Sequence, residues 1–489
     1  MAGPVRVHTS VHAQERSLFE LSRTSDTPLV DQIVERITRL ARHGQLPEGA
    51  RIPSIRKLAK LVGASPFTVV DAYDRLVARG VIESRAGRGF FVTRRKGTPA
   101  LPVIEAAIDP GSDALALARA SMTSTREIIA AGSGFLPTTW YAEALPANVM
   151  ARLTHQRKPQ AWMPAPPQGL AELREQLSER LVQRGIACGP ANLCTTFGAS
   201  QAFDLLARIL FAPGDVVLVE DPGYFVLFEQ LRAHHVKLVP IPRTPTGPDI
   251  EALEAACRTH RPRAFFLQTL LHNPTGSNTE PAVCHRLLSL AETYGFAIVE
   301  DDIYGDLYEG PAVRLAQLDG LRHVIYVGSF TKLMGPALRL GFVAADSRVI
   351  AQLVERKILS VLSGSAWLES IACEVLDSGR FMRHTQLVRA RLARMRRDAQ
   401  AALEAAGIVF DGAVSEGRGG DGIFLWGRVP DRIDVEAMVR GARDRSILLA
   451  NGALFSPSRA ANQRLRFNAT HSAAPELARF LTDSLRSAA

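Results

Sequence analysis

Apolar residues recur at helical spacing near the start of the chain: Leu29, Ile33, Ile37 and Leu40 within residues 29–41, then Ile55, Leu58 and Leu61 within 54–61. Residues 44–49, with two glycines and Pro47, break the first pattern. Gly63 and Ala64 make a tight turn, Ser65 suits a helix N-cap and Pro66 the first helical position. A third helix is predicted to about Arg79, with Gly80 as its stop. Two short apolar runs follow, 80–83 and 89–92, flanking the basic tip 84–88, and predict a β-hairpin. Three helices with a turn before the third, then a basic hairpin, predict a winged helix-turn-helix over 27–95.

The texture changes at 96–125, which reads as a linker with a short helical piece at 114–120, either a flexible tether or an ordered loop on the next domain. From residue 134 apolar runs alternate with helical patterns, which argues for a mostly parallel sheet covered on both faces. After residue 373 the pattern shifts to a long basic helix at 381–406 and a strand at 420–426. These predict a small α+β domain closing over the larger one.

Composition narrows the class. With 489 residues, 46% hydrophobic and 22% charged, the chain is globular and too long for one core. No apolar run approaches the roughly 20 residues that span a bilayer, and residues 1–25 lack an apolar signal core. Five cysteines (Cys188, Cys194, Cys257, Cys284, Cys373) show no paired spacing. They imply a reducing compartment and no metal site, so a cytoplasmic location is expected. The net charge is +9, and residues 28–96 hold 14 Lys and Arg against 6 Asp and Glu, a balance of +8. A basic module ahead of near-neutral bulk points to a polyanion partner for that module.

On that reading the third helix enters the major groove of double-stranded DNA, led by Ser65, Phe67 and Thr68. Arg56 and Lys57 open the second helix beside the backbone, and Arg75, Arg85 and Arg88 reach phosphates or the minor groove. The plain alternative is a basic helical bundle that binds protein. The stretch from Leu46 through Arg56, Lys57, Gly63, Ser65, Thr68 and Arg75 to Gly87, Arg88 and Gly89 resembles the GntR-type winged helix. The resemblance implies that Arg56, Ser65, Thr68 and the wing touch operator DNA.

The second half is organised around 328–342. Lys332 follows the apolar run 324–327, with Ser329 three residues before it and Arg339 seven after. A lysine amine forms a Schiff base with an aldehyde, and a hydroxyl with a forked guanidinium holds a phosphate. Alone, the stretch also reads as a solvated lysine beside a glycine turn. Other apolar runs end comparably. One leads to Gly198, Ala199 and Ser200 opening a helix, where an anion is favoured. Others lead to Tyr224, to Asn273 before Pro274, and to Asp301 and Tyr304. Ligands of open α/β sheets bind at the carboxyl ends of strands, so these groups converge. Asp301 can keep a pyridine nitrogen protonated, Asn273 and Tyr304 can bond a phenolic oxygen, and Tyr224 can stack on a ring.

These residues resemble fold-type-I pyridoxal-phosphate aminotransferases over 134–486, the whole set 126–489 forming one unit with a large part at about 161–372 and a small part from 126–160 and 373–489. The resemblance implies pyridoxal 5'-phosphate bound by Ala199, Ser200, Tyr224, Asn273, Asp301, Tyr304, Ser329, Lys332 and Arg339, with Lys332, Asp301 and Tyr304 catalytic. Arg466, with Asn273, would bind a substrate carboxylate. The family often has a tyrosine before a Pro-x-Gly that reaches the partner subunit's phosphate. Pro164 stands at about that slot here, with Trp162 near. A winged helix fused to such a domain resembles the MocR-type regulators. That implies a homodimeric transcription factor sensing an amine, an amino acid or pyridoxal phosphate itself through Lys332. The rival is a working amino-acid aminotransferase with an accessory DNA-binding module.

Overall fold

The computed structural model describes residues 18–19, 21–22, 27–93, 113–123, 128–145, 149, 151–153, 163–411, 422–460 and 462–486. Residues 96–112 and 124–125 of the expected linker, the last two residues of the expected winged-helix span (94–95), the start of the expected strand at 420–421, and Trp162 lie outside these. The chain divides into two units, residues 1–105 and 106–489.

The first unit holds helices α1 (Leu29–Arg42), α2 (Ile55–Val62) and α3 (Pro66–Ala78), then strands β1 (Ile82–Arg85) and β2 (Gly89–Val92). Its core is built from the periodic residues: Ile33, Ile37 and Leu40 of α1, Leu58 of α2, and Val69, Tyr73 and Leu76 of α3 are all buried. Tyr73 packs edge-on against Phe90 and donates its hydroxyl to Pro53 O at 2.7 Å, tying α3 to the hairpin and to the start of α2. β1 and β2 pair antiparallel, Ile82 opposite Val92 and Arg85 opposite Gly89. The fold is the winged helix-turn-helix that the patterning predicts.

The second unit opens with helix α4 (Asp113–Thr123), within the stretch expected as a linker. Its Ala114 and Leu117 are buried in the same core as Phe203, Phe225 and Phe228, so α4 is part of this unit's packing. The main sheet comprises β3 (Leu193–Thr196), β4 (Val216–Asp221), β5 (Lys237–Thr244), β6 (Gly247–Pro248), β7 (Ala264–Leu267), β8 (Ala297–Asp301), β9 (Val324–Ser329) and β10 (Gly341–Ala344). Their order is β3-β10-β9-β8-β7-β4-β5-β6, with β9, β8, β7, β4 and β5 parallel and β10 antiparallel to both neighbours. Successive residues of each strand feed opposite faces. Leu218, Phe265, Ile298 and Tyr326 enter one core, and Val217, Phe266, Val299 and Ile325 the other. That is why these strands read as unbroken apolar runs.

The small part is a sheet of β11 (Val409–Phe410), β12 (Phe424–Arg428), β13 (Ala450–Asn451) and β14 (Arg464–Asn468), in the order β11-β12-β14-β13, all pairs antiparallel. The long basic helix runs Arg380–Ala405. Segment 128–136 fastens this sheet to the rest: Asn468 N donates to Ala131 O at 2.6 Å, and the Asn468 amide donates to Ser133 O and Phe135 O.

Candidate functional site

The carboxyl ends of β3, β4, β7, β8 and β9 open onto one cavity of about 340 Å³. Ala199, Ser200, Tyr224, Asn273, Tyr304, Ser329, Lys332, Arg339 and Arg466 all line it. Asp301, at the end of β8, lies beneath with 4% of its surface exposed.

Lys332 sits in a four-residue helical turn just past β9. Its Nζ donates to Gly134 O at 3.0 Å and lies 5.0 Å from the centre of the Phe135 ring and 5.3 Å from that of Tyr304. Burial, then the nearby Arg466 charge, lowers its pKa to about 8, with Asp301 pulling the other way. A lysine so placed is available as a neutral amine close to physiological pH.

Arg339 adopts a left-handed backbone, φ 46°, and donates from Nη2 to Phe197 O at 2.9 Å. Gly198, at φ 75°, opens the helix Gly198–Leu210 beside it. A Cβ on Gly341 would come within 2.8 Å of the Gly198 carbonyl carbon, so only glycine lets the helix start seat on β10. The first amides of a helix lack intrahelical partners. With Ser200, Arg339 and Ser329, whose Oγ already bonds Thr331, they make an anion-binding corner.

The three acids that end β8 separate by role. Glu300 takes the amides of Leu315 and Ala316 and the Thr269 hydroxyl, and burial pushes it up to about 7. Asp302 accepts from Arg314 Nε at 2.7 Å and from the Tyr326 hydroxyl at 2.6 Å. Asp301 alone acts electrostatically on Lys332 and Tyr224, and burial pushes it up to about 7. Its Oδ2 accepts from Gln268 Nε2 at 2.9 Å and its Oδ1 from Ile303 N at 3.2 Å.

Arg466, on β14 opposite Trp426, is 3% exposed. Its Nη1 donates to Asn273 Oδ1 at 2.9 Å and its Nη2 to Gly132 O at 2.6 Å, while Nε is buried without a partner. The guanidinium stacks over Phe424 at 4.3 Å and Phe455 at 4.8 Å. Among the described residues no carboxylate balances it, and burial lowers its pKa to about 10. Such a cation is costly when unpaired, and a ligand carboxylate would relieve it.

In the first unit, Ser65 caps α3: its Oγ accepts from Thr68 N at 3.1 Å and pairs with Thr68 Oγ1 at 2.8 Å. Phe67 is 87% exposed. Arg56 and Lys57 are exposed in the first turn of α2, and Arg88 at the wing tip. Arg75 is committed within the unit, donating to both oxygens of Asp71 and to Asp31 at 3.0 Å. Arg85 pairs with Glu83 and covers the Phe91 ring at 4.5 Å.

Residues 129–481 match the aminotransferase class I and II family, and 29–92 the GntR family of bacterial regulatory proteins. The chain belongs to the class I and II aminotransferases, joined to a GntR-type winged helix. This fusion is the MocR-type arrangement. The chain is 28% identical over 444 residues to the uncharacterized HTH-type transcriptional regulator YdcR of Escherichia coli (strain K12), covering 89% of this chain and 94% of that one. It is 29% identical to the probable rhizopine catabolism regulatory protein MocR of Rhizobium meliloti, over 76% of each. It is also 30% identical to 2-aminoadipate transaminase of Thermus thermophilus, over 66% of this chain and 80% of that one. Among solved structures, the alpha-aminoadipate aminotransferase LysN of Thermus thermophilus, complexed with N-(5'-phosphopyridoxyl)-L-leucine, superposes with a TM-score of 0.67. That match has 26% identity and covers 76% of this chain and 97% of that one.

Two parts of this MocR-type site escape sequence reasoning. Gln268 stands one residue past β7 and bridges Asp301 to Asn273, whose backbone N donates to Gln268 Oε1 at 2.8 Å. A glutamine there carries no chemical signature of its own. Helix α4 lends Leu117, Ala118, Ser121 and Met122 to the cavity wall. Its alanine-rich composition reads as linker. No cluster of metal-ligating side chains occurs among the described residues, and no helix among them is long and apolar enough to cross a membrane.

Proposed function

We propose that this MocR-type chain is a transcription regulator whose aminotransferase-like unit carries pyridoxal phosphate at Lys332 and responds to a small amine or amino acid. The observation that carries the reading is the meeting of Lys332, Tyr224, Asn273, Tyr304, Ser329 and Arg339 in one cavity with a buried, unbalanced Arg466. The donor set fits the cofactor. Arg339, Ser329 and the helix start at Gly198 suit its phosphate, Asp301 its ring nitrogen, and Tyr304 with Asn273 its phenolic oxygen. Bound there, the cofactor supplies an electrophilic carbon and a ring that accepts electrons.

The chain's own groups do the rest. Lys332 passes between neutral and protonated forms near pH 8, with Gly134 O accepting its N–H. Arg466 takes up a ligand carboxylate in exchange for Asn273 and Gly132 O. That exchange loosens one of the bonds between β14 and segment 128–136, which follows α4 and the stretch leading to the winged helix. A ligand shifts such an equilibrium only by what it gains in one state over the other, and for a ligand that carries a carboxylate relief of Arg466 supplies that difference.

The protein acts as a homodimer on operator DNA. Support comes from exposed apolar residues gathered near one loop. Ile358, Leu359, Val361 and Leu362 end one helix, and Met163 lies two residues before Ala165, whose N donates to Gly364 O at 3.3 Å. An exposed cluster of this kind is an interface signature.

A second reading, a working aminotransferase, is favoured by the similarity to the 2-aminoadipate transaminase. Steady turnover of an amino acid with a keto acid would establish it. The regulator reading is tested by titrating the purified protein with pyridoxal phosphate and then with amines. Absorbance and anisotropy of a labelled duplex are followed together. Visible colour, a shift on adding amine, and a change in DNA affinity are expected, all lost in Lys332→Ala. Colour and ligand response that both survive that substitution would overturn the reading.

A further inference from the structure

We propose that α3 reads its operator through apolar contact with thymine, the C5-methyl groups packing on Phe67 and Val70. The inference rests on the reading that α3 enters the major groove.

One side of α3 is spent on the core: Val69, Ala72, Tyr73 and Leu76 are each 0% exposed. The opposite side offers Phe67 at 87% exposure and Val70 at 37%. Residues three apart are neighbours on a helix surface, so these two form one apolar stripe beginning in the first turn. A winged helix-turn-helix leads with that turn into the major groove. Three of the polar groups beside the stripe, Ser65, Thr68 and Asp71, are already engaged, and Asp74 is exposed one turn after Val70. Ser65 and Thr68 bond each other and cap the helix, which fixes where Phe67 points from. Asp71 is neutralised by Arg75, so it does not repel a phosphate strongly.

An exposed aromatic side chain next to a valine could equally seat a second protein chain. Charge decides for DNA. Arg56, Lys57, Lys60 and Arg88 are all exposed in the same module, which has a balance of +8 over residues 28–96. Cations of this kind neutralise phosphates and set register, and base identity is then read by what touches base edges. In the major groove the thymine methyl is the one apolar feature that distinguishes a base pair, and apolar side chains pair with it.

Thymine and uracil differ only in that methyl. Sites are first selected with the full-length protein from a random-sequence duplex library, and the best duplex is resynthesised with deoxyuridine for each thymidine in turn. Binding should weaken about fourfold at each position where a methyl is contacted. Phe67→Ala and Val70→Ala should each remove that penalty at one position while leaving the salt dependence of binding unchanged. Phe67 is exposed, so its replacement leaves the fold intact, which circular dichroism verifies. Salt-dependent binding with equal affinity for thymine and uracil duplexes overturns the proposal and leaves the DNA-binding reading standing. A Phe67→Ala variant that changes the oligomeric mass without DNA and keeps thymine discrimination also overturns it. No salt-dependent binding to any selected duplex sinks the DNA-binding reading, and this proposal with it.

Discussion

The side-chain amide of Gln268 donates to Asp301 Oδ2 at 2.9 Å, and the same side chain accepts from the Asn273 backbone at 2.8 Å. One glutamine therefore positions two groups of the candidate cofactor site, the carboxylate for a ring nitrogen and the amide for a phenolic oxygen. Burial raises Asp301 to about 7 and the Gln268 bond opposes that rise.

Gln268→Leu removes the opposition. Asp301 becomes harder to ionise, and the Asn273 N–H is left buried without a partner at a cost of about 1–3 kcal/mol. Each unit of further upward shift in Asp301 is worth about tenfold. Pyridoxal phosphate affinity at pH 7, followed by absorbance titration, should fall by about tenfold and recover in part at higher pH. Unchanged affinity and an unchanged pH profile would mean that Gln268 is mere packing.

Arg466 makes a sharper demand. It is buried with one unpartnered nitrogen and, among the described residues, no carboxylate. Burying one charge costs several kcal/mol, and an apolar side chain of similar length removes that cost, which offsets the two hydrogen bonds lost to Asn273 Oδ1 and Gly132 O. Arg466→Met should therefore melt no lower than the parent in differential scanning calorimetry. It should also lose the response to amino acids while keeping the response to amines without a carboxylate. Loss of both responses would assign Arg466 to the fold instead of the ligand.

Lys332 has its pKa lowered to about 8 by burial first and by Arg466 next. Only the neutral amine is nucleophilic, so its reactivity grows as pH rises through the folded-state value. Borohydride trapping of added pyridoxal phosphate should reach half its maximal rate near pH 8, well below the pH at which an ordinary lysine would. In Arg466→Met the midpoint should move upward, because a neighbouring positive charge is gone. A midpoint near that of an ordinary lysine in the parent would show that the amine is solvated.

Much of this was legible in the chain itself. Ser65 and Pro66 announced the start of α3, and the cap bond from Thr68 N is where that signal pointed. Lys332, Asp301, Asn273 and Tyr224 each follow an apolar run, because strands buried on both faces have no polar positions to interrupt them. Strand order was not legible. β10 lies between β3 and β9 and antiparallel to both, and nothing local to its four residues marks that place. Nothing within the run Glu300-Asp301-Asp302 separates its three acids, and only tertiary partners such as Arg314 and the Leu315 amide do. Arg75 shows the reverse limit: its charge suggested phosphate, while its geometry gives it to Asp71 and Asp31.

That difference is measurable. Each cation that neutralises a phosphate contributes about one unit to the slope of log affinity against log salt. Arg56→Ala and Arg88→Ala should each lower the slope by about one on a selected duplex. Arg75→Ala should leave it nearly unchanged, since its fork is occupied by two aspartates. A full unit lost in Arg75→Ala would show that DNA recruits this side chain away from its partners.

The seat of α4 is the last feature that an experiment can weigh. Leu117 is 3% exposed, belongs to the core that includes Phe225, and lines the candidate cofactor cavity. Truncating a buried leucine costs about 2–5 kcal/mol. A short helix packed on the rim can meet that cost by detaching locally while the domain stays folded. In Leu117→Ala, tryptic cleavage at Arg119 should quicken by at least about tenfold, while the melting midpoint falls less than in a central-strand control such as Leu218→Ala. A ligand bound only when α4 is seated favours that state by about 2.7 kcal/mol at a hundredfold excess over its Kd. Added pyridoxal phosphate should therefore restore protection of Arg119. Cleavage that is equally fast with and without Leu117, or blind to the cofactor, would separate α4 from the cavity it walls.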